Sequence, residues 1–131
     1  MARIEHLALW ATDIETLRAF YETYFGARAG ARYTNERKRF RSCFLSFADG
    51  ARLELMQRPD VTAASGSEPD REYLGYAHLA VSVGSESAVD ALTRRLVTDG
   101  HPCLDGPRRT GDGYYESVVR DPEGNRIEIT V

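Results

Sequence analysis

No apolar run in this 131-residue chain approaches the roughly 20 residues that a membrane-spanning helix needs, so no helical span is expected. The opening stretch Met1-Ala2-Arg3-Ile4-Glu5-His6 has no long apolar segment behind it and no small-residue cleavage site, so no secretory leader is expected either. A basic excess is missing as well. Seventeen Lys and Arg stand against 20 Asp and Glu, a net charge of −3, whereas nucleic-acid binding normally shows as a positive surplus. The two cysteines, Cys43 and Cys103, are too few for a disulfide framework and lack metal-ligand spacing. Each reads as a small, semi-buried side chain in a reducing cytoplasm, where the chain is expected to reside. What is present is an ordinary globular composition, 42% apolar and 28% charged, which argues against disorder. The length suits one domain spanning 1–131, able to bury roughly two-thirds of its unfolded surface without staples.

An internal repeat organises the chain. Residues 4–10, Ile-Glu-His-Leu-Ala-Leu-Trp, are echoed at 76–82 by Tyr-Ala-His-Leu-Ala-Val-Ser. Residues 50–55, Gly-Ala-Arg-Leu-Glu-Leu, are echoed at 124–129 by Gly-Asn-Arg-Ile-Glu-Ile. His6 precedes Glu54 by 48 residues and His78 precedes Glu128 by 50, so two patterns recur in the same order at nearly the same separation. The reading is two homologous modules, 1–56 and 75–131, joined by a polar linker at 57–74 that contains Pro59, Gly66 and Pro69.

Each module reads as βαβββ. In the first, a strand at 3–10 leads to a helix capped by Asp13, with Ile14, Leu17, Phe20, Tyr21 and Tyr24 at helical spacing and Gly26 as its stop. Strands are expected at 28–34, 39–47 and 51–57. In the second, a strand at 76–83 precedes a helix that starts at an acidic capping box, Ser87-Ala88-Val89-Asp90, and carries a Val89, Leu92, Leu96 stripe up to Gly100. His101 reads as a turn residue. Strands are expected at 102–105, 114–120 and 125–131, the last two joined by the turn Asp121-Pro122-Glu123-Gly124.

Strand parity then places the polar residues. Alternate residues face opposite sides, so Leu53, Leu55, Ile127 and Ile129 face the amphipathic helices while His6, Glu54, His78 and Glu128 fall on the other face. A lone strand histidine or glutamate is usually an ordinary polar side chain. Four of them in duplicated positions with identical neighbours are another matter, because a carboxylate flanked by aliphatic residues is costly to bury unless paired or bound to a cation. Two imidazoles and two carboxylates suit one divalent ion: zinc, nickel, cobalt, manganese or iron.

The residues that carry this pattern also resemble a family. His6, the run Phe20-Tyr21-Glu22-Thr23-Tyr24-Phe25-Gly26, His78, and Asp121-Pro122-Glu123-Gly124-Asn125-Arg126-Ile127-Glu128 together resemble the vicinal oxygen chelate superfamily, over the whole chain. The resemblance implies an α+β fold in which two βαβββ modules form a cupped, mixed, eight-stranded sheet with the helices on its outer face. It puts His6, Glu54, His78 and Glu128 on the four metal-ligand positions of the glyoxalase I pattern. Glutamate at 54 separates the chain from members with a two-His-one-carboxylate set, from epimerases with glutamine there, and from antibiotic-binding members without the metal set. The stretch after Glu54, Leu-Met-Gln-Arg-Pro, departs from the Thr-Tyr-Asn continuation of bacterial glyoxalase I, and no full glutathione-binding set can be matched.

The implied activity is therefore that of a metal-dependent, glyoxalase I-like isomerase or lyase. It would act on a small vicinal-oxygen substrate, such as a 2-oxoaldehyde–thiol adduct, through a metal-stabilised enediolate, with Glu128 or Glu54 as base. The alternatives are an epimerase, an extradiol-type dioxygenase, or a non-catalytic module that binds a small molecule or antibiotic. Trp10, Arg52, Arg126, Tyr114 and Tyr115 are candidates for substrate contact, with one of the two tyrosines expected to face the helix instead. The basic run Arg37-Lys38-Arg39 with Arg41 reads as a solvated strand edge or an attractor for an anionic substrate. A homodimer is expected, in which modules pair within one chain or by exchange between chains.

Overall fold

The computed structural model describes residues 1–131, which form two compact units, Met1–Ser67 and Glu68–Val131. In the first, the elements are β1 (His6–Trp10), α1 (Ile14–Phe25), β2 (Arg28–Ala29), β3 (Tyr33–Asn35), β4 (Phe40–Ser46) and β5 (Arg52–Gln57). The sheet runs β1-β5-β4-β2, and β3 also pairs with β4. First and last strands lie parallel, with Ala8 opposite Glu54. In the second unit, β6 (Leu79–Ser82), α2 (Glu86–Thr98), β7 (Cys103–Arg109), β8 (Tyr115–Arg120) and β9 (Arg126–Thr130) build a sheet of order β6-β9-β8-β7. Here too first and last strands are parallel, with Ala80 opposite Glu128. The repeat in the sequence is thus a repeat of topology and of register. The two helices and nine strands, in two mixed sheets, make an α+β fold.

Local chemistry explains where each helix starts and stops. Asp13, in extended backbone, accepts from the Glu15 amide at 3.0 Å and from the Thr16 hydroxyl at 2.8 Å. The Ile14 amide donates to Gln57 Oε1 at 2.9 Å, which ties the start of α1 to the end of β5. Gly26 ends the helix at φ 64°, a left-handed conformation that glycine takes without the Cβ penalty. The expected capping box at 87–90 is displaced. Ser85 is the cap, its hydroxyl accepting from the Ala88 amide at 3.1 Å, because Ser85 is the last extended residue while Ser87 already lies in the first turn. No helix is long and apolar enough to cross a membrane.

Each helix packs on one face of its own sheet. Ile14, Leu17, Phe20 and Tyr21 of α1 are buried with Cys43, Leu45, Leu53 and Leu55. Each fully buried aliphatic side chain contributes roughly 1.5–3 kcal/mol. On α2 the buried positions are Val89, Thr93 and Leu96, so Thr93 replaces the expected Leu92, which is half-buried. The Thr93 hydroxyl donates to Val89 O at 2.6 Å and meets Ser117 Oγ at 2.7 Å, so neither buried hydroxyl is left unpaired.

Two strands differ from expectation. The stretch 28–34 breaks into β2 and β3, because Arg32 turns its guanidinium to Glu15, 2.8 Å away, and to Gly30 O, 2.9 Å away; this makes the ninth strand. The strand expected at 102–105 runs on through Pro107 to Arg109, with register shifts around Asp105. Proline is tolerated there because β7 is an edge strand. Gly106 is required by the close approach of β8. Its φ is +80°, and a Cβ would stand 2.5 Å from Glu116 O.

Candidate metal and substrate site

On the polar face of each sheet a histidine at the start of the first strand, His6 in β1 or His78 just before β6, meets a glutamate of the parallel last strand. In the first unit His6 Nε2 lies 3.6 Å from Glu54 Oε2; in the second His78 Nε2 lies 3.2 Å from Glu128 Oε2. Two donors bound to one ion at about 2.1 Å stand about 3.0 Å apart at octahedral angles and about 3.4 Å at tetrahedral ones. The 3.2 Å pair falls within that range and the 3.6 Å pair just beyond it, and the nitrogen-plus-carboxylate chemistry fits a divalent ion. No three His, Cys, Asp or Glu side chains gather into a metal-sized cluster. Each unit holds one His–Glu pair.

The surroundings of the two pairs differ. His6 meets the Phe44 ring edge-to-face at 5.3 Å between centroids, and Arg52 lies over the same ring at 4.1 Å. Phe44 stands opposite Glu54 in the ladder, where Val118 stands opposite Glu128. A pocket of about 310 Å³ opens beside Glu128 and His78, walled by Val118 and Leu104 and edged by Asp105, Arg108, Arg126 and Glu72. Burial pushes the Glu128 carboxyl above the usual carboxylate range; His78 pulls it back, and the neighbouring Glu116 pushes it further up.

Glu116 was not a sequence candidate. It is buried at 8% exposure, touches Glu128, and pairs with Arg108 at 3.5 Å. Its parity with Val118 on β8 is the only sequence signal that points to it.

Of the other candidates, Trp10 is 41% exposed, with Arg58 over its ring at 5.2 Å and Phe40 against its edge. Arg52 and Arg126 share the faces of their glutamates but each is already paired, Arg52 with Glu5 and Arg126 with Glu72. Tyr115 is corrected out of the pocket. Its hydroxyl donates to Asp90 on α2 at 2.6 Å, since residues 115, 117 and 119 share the helix-facing side of β8. Tyr114, just before the strand, is exposed. In the basic run, Lys38 and Arg39 close a turn, while Arg41 reaches Glu15 on α1 at 3.6 Å, on the helix side of β4.

With this geometry in hand, the relatives are informative. Residues 3–129 match the family described as Glyoxalase/Bleomycin resistance protein/Dioxygenase superfamily. An uncharacterised protein of Pseudomonas aeruginosa is 29% identical, covering 97% of this chain and 86% of its own. A solved structure of a possible glyoxalase from Bacillus cereus superposes with a TM-score of 0.69 at 27% identity, covering 98% of this chain and 97% of the other. The trypanothione-dependent glyoxalase I of Leishmania major shares the fold, with a TM-score of 0.77 at 20% identity over 99% of this chain and 86% of that one.

Proposed function

Because the chain belongs to the Glyoxalase/Bleomycin resistance protein/Dioxygenase superfamily, we propose that it is a metal-dependent, glyoxalase I-like isomerase or lyase. Its substrate is a small molecule with vicinal oxygens, of the 2-oxoaldehyde–thiol adduct kind. The observation that carries this reading is the duplicated His–Glu pair at 3.6 and 3.2 Å, with a glutamate at both carboxylate positions. His6, Glu54, His78 and Glu128 together hold one divalent ion, each unit supplying half of the ligands. The assembly is a homodimer, which light scattering reads directly; a monomer at micromolar concentration refutes it.

When bound, the ion supplies Lewis-acid polarisation of the substrate's vicinal oxygens. The chain does the rest. Glu128 takes a proton from the carbon beside the carbonyl and returns it to the neighbouring carbon, as general bases positioned by hydrogen-bond reach do. Glu128 is preferred over Glu54 because the 310 Å³ pocket opens against it. Val118 and Leu104 give that pocket one apolar wall.

The test separates holding the ion from moving the proton. Glu128→Gln keeps an amide oxygen that coordinates, so metal occupancy stays high, while turnover falls about 10²–10⁴-fold because the amide takes no proton. Elemental analysis of purified protein, then a screen of methylglyoxal with several thiols, provides the substrate for that comparison. A fully loaded Glu128→Gln protein with undiminished turnover removes Glu128 as base and makes Glu54 the next candidate.

A further inference from the structure

Two arginines of the second unit are covered by an acidic segment of the same unit. Arg120 Nη2 donates to Pro69 O at 2.9 Å and to Asp70 Oδ1 at 2.8 Å. Arg126 pairs with the Glu72 carboxylate through Nη1 and reaches Asp70 O at 3.4 Å through Nη2. The partners are unequally seated. The Arg126 side chain is 24% exposed and belongs to a strand, whereas Glu72 is 77% exposed and belongs to irregular chain. Both line the pocket that holds His78 and Glu128. A carboxylate of the protein itself thus occupies the guanidinium nearest to the proposed base along β9.

We propose that the pocket takes a small substrate bearing a carboxylate remote from its vicinal oxygens, and that Arg126 receives this carboxylate in place of Glu72. The proposal rests on the metal-site reading above and adds the chemical class of the substrate. Arg126 and Glu128 are two residues apart on one face of a strand, roughly 7 Å along it. A ligand that engages both ends therefore separates its charge from its reacting carbons by a short methylene chain. Val118 and Leu104 provide the apolar wall for such a chain. A volume of about 310 Å³ is at the low end for ligand pockets, which suits a small diacid-like molecule. The planar guanidinium fork can match a carboxylate in two parallel hydrogen bonds, whereas Glu72 engages it through Nη1 alone and Nη2 turns to Asp70 O. Displacement is easy because the resident partner is exposed, and exposed ion pairs are weak.

The probes are 2-oxoglutarate and 2-oxopentanoate, which share chain length and vicinal oxygens and differ in the remote carboxylate. On metal-loaded protein, calorimetry is expected to show 2-oxoglutarate binding at least tenfold more tightly. Arg126→Met abolishes that preference, since charge-assisted hydrogen bonds contribute enough for a tenfold or larger effect. Glu72→Gln strengthens 2-oxoglutarate about two- to fivefold and leaves 2-oxopentanoate unchanged, in line with the weakness of an exposed pair. A second arm does not need the metal. Glutarate titrated into chelator-treated protein shifts the amide resonances of residues 70–74 in the parent protein and not in Arg126→Met. If metal fails to load but glutarate still moves the segment, the anion site stands and the metal reading falls. If metal loads, yet the two oxo acids bind alike and glutarate leaves residues 70–74 unmoved, the anion site is refuted.

Discussion

Replacing His6 with alanine removes one nitrogen donor from the first half-site and leaves the second untouched. If all four side chains serve one ion, the loss is felt by the whole site. Four-donor structural zinc sites have apparent binding free energies of about 10–16 kcal/mol, so one donor accounts for about 2.5–4 kcal/mol, or roughly a 10²–10³-fold change in Kd. If the two pairs bind separately, the parent protein takes up two ions per chain, and His6→Ala abolishes one while the other keeps its affinity. Competition against a chromophoric chelator, with elemental analysis of the equilibrated protein, distinguishes these outcomes. The expected result is one ion per chain, weakened at least about 10²-fold in His6→Ala. The substitution leaves the core alone: His6 is 39% exposed and its ring meets the Phe44 edge and the Glu5 and Glu54 carboxylates, so the circular dichroism spectrum should not change. Two independent ions in the parent, or unaltered affinity in the variant, refutes a shared site.

Two further predictions concern stability. Glu15 sits on α1 among Arg18 and Arg32, which hold its carboxyl down at about 2 from an ordinary 4.5, mainly through the hydrogen bond from Arg32. A depressed carboxyl stabilises the fold above pH 4.5 and loses that contribution as pH falls toward 2. The full shift corresponds to about 3 kcal/mol, and at 35% exposure solvent screening reduces it to about 1 kcal/mol. Glu15→Gln should therefore lower stability by about 1 kcal/mol at pH 7 and converge with the parent near pH 2; urea titrations showing a pH-independent difference refute this. Gly106→Ala sets a Cβ 2.5 Å from the Glu116 carbonyl at φ +80°, so a loss of at least about 2 kcal/mol is expected, and a thermal midpoint equal to the parent's would contradict it.

Much of the fold, and the pairing of each candidate histidine with its glutamate, is legible from side-chain period. Alternation put Glu54 and Glu128 opposite Leu53, Leu55, Ile127 and Ile129, and the burial of all four aliphatics agrees. Asp13 and Gly26 are local signals, and they act locally as expected. What escaped depends on partners distant in sequence. Gly30 and Arg32 look compatible with a continuous strand until Glu15, on the helix above, draws Arg32 aside. Ser87 resembles a cap better than Ser85 until the backbone of 85 is seen to be extended. The sequence expects one of Tyr114 and Tyr115 to face the helix but does not say which, because nothing local shows Asp90 waiting for the Tyr115 hydroxyl. Glu116 pairs with Thr130 in the ladder, two residues along from the Val118–Glu128 pair, and it is the side-chain contact with Glu128 that makes it a neighbour of the site.

The turn between β8 and β9 has a consequence for which changes this protein can accept. Asp121 Oδ1 accepts from the amides of Glu123 and Asn125, both at 2.9 Å, and Asp121 Oδ2 accepts from the Asn125 side chain at 2.9 Å. With Gly124 at φ 85°, this locks the number of residues between the two strands. Because strand side chains alternate, one inserted or deleted residue there would turn Glu128 toward α2 and deliver Ile127 and Ile129 to the polar face. The segment is therefore a ruler more than a recognition element. Point changes at Pro122 or Glu123 should be absorbed, whereas any change of length between Asp121 and Glu128 should cost the second half-site and the core together.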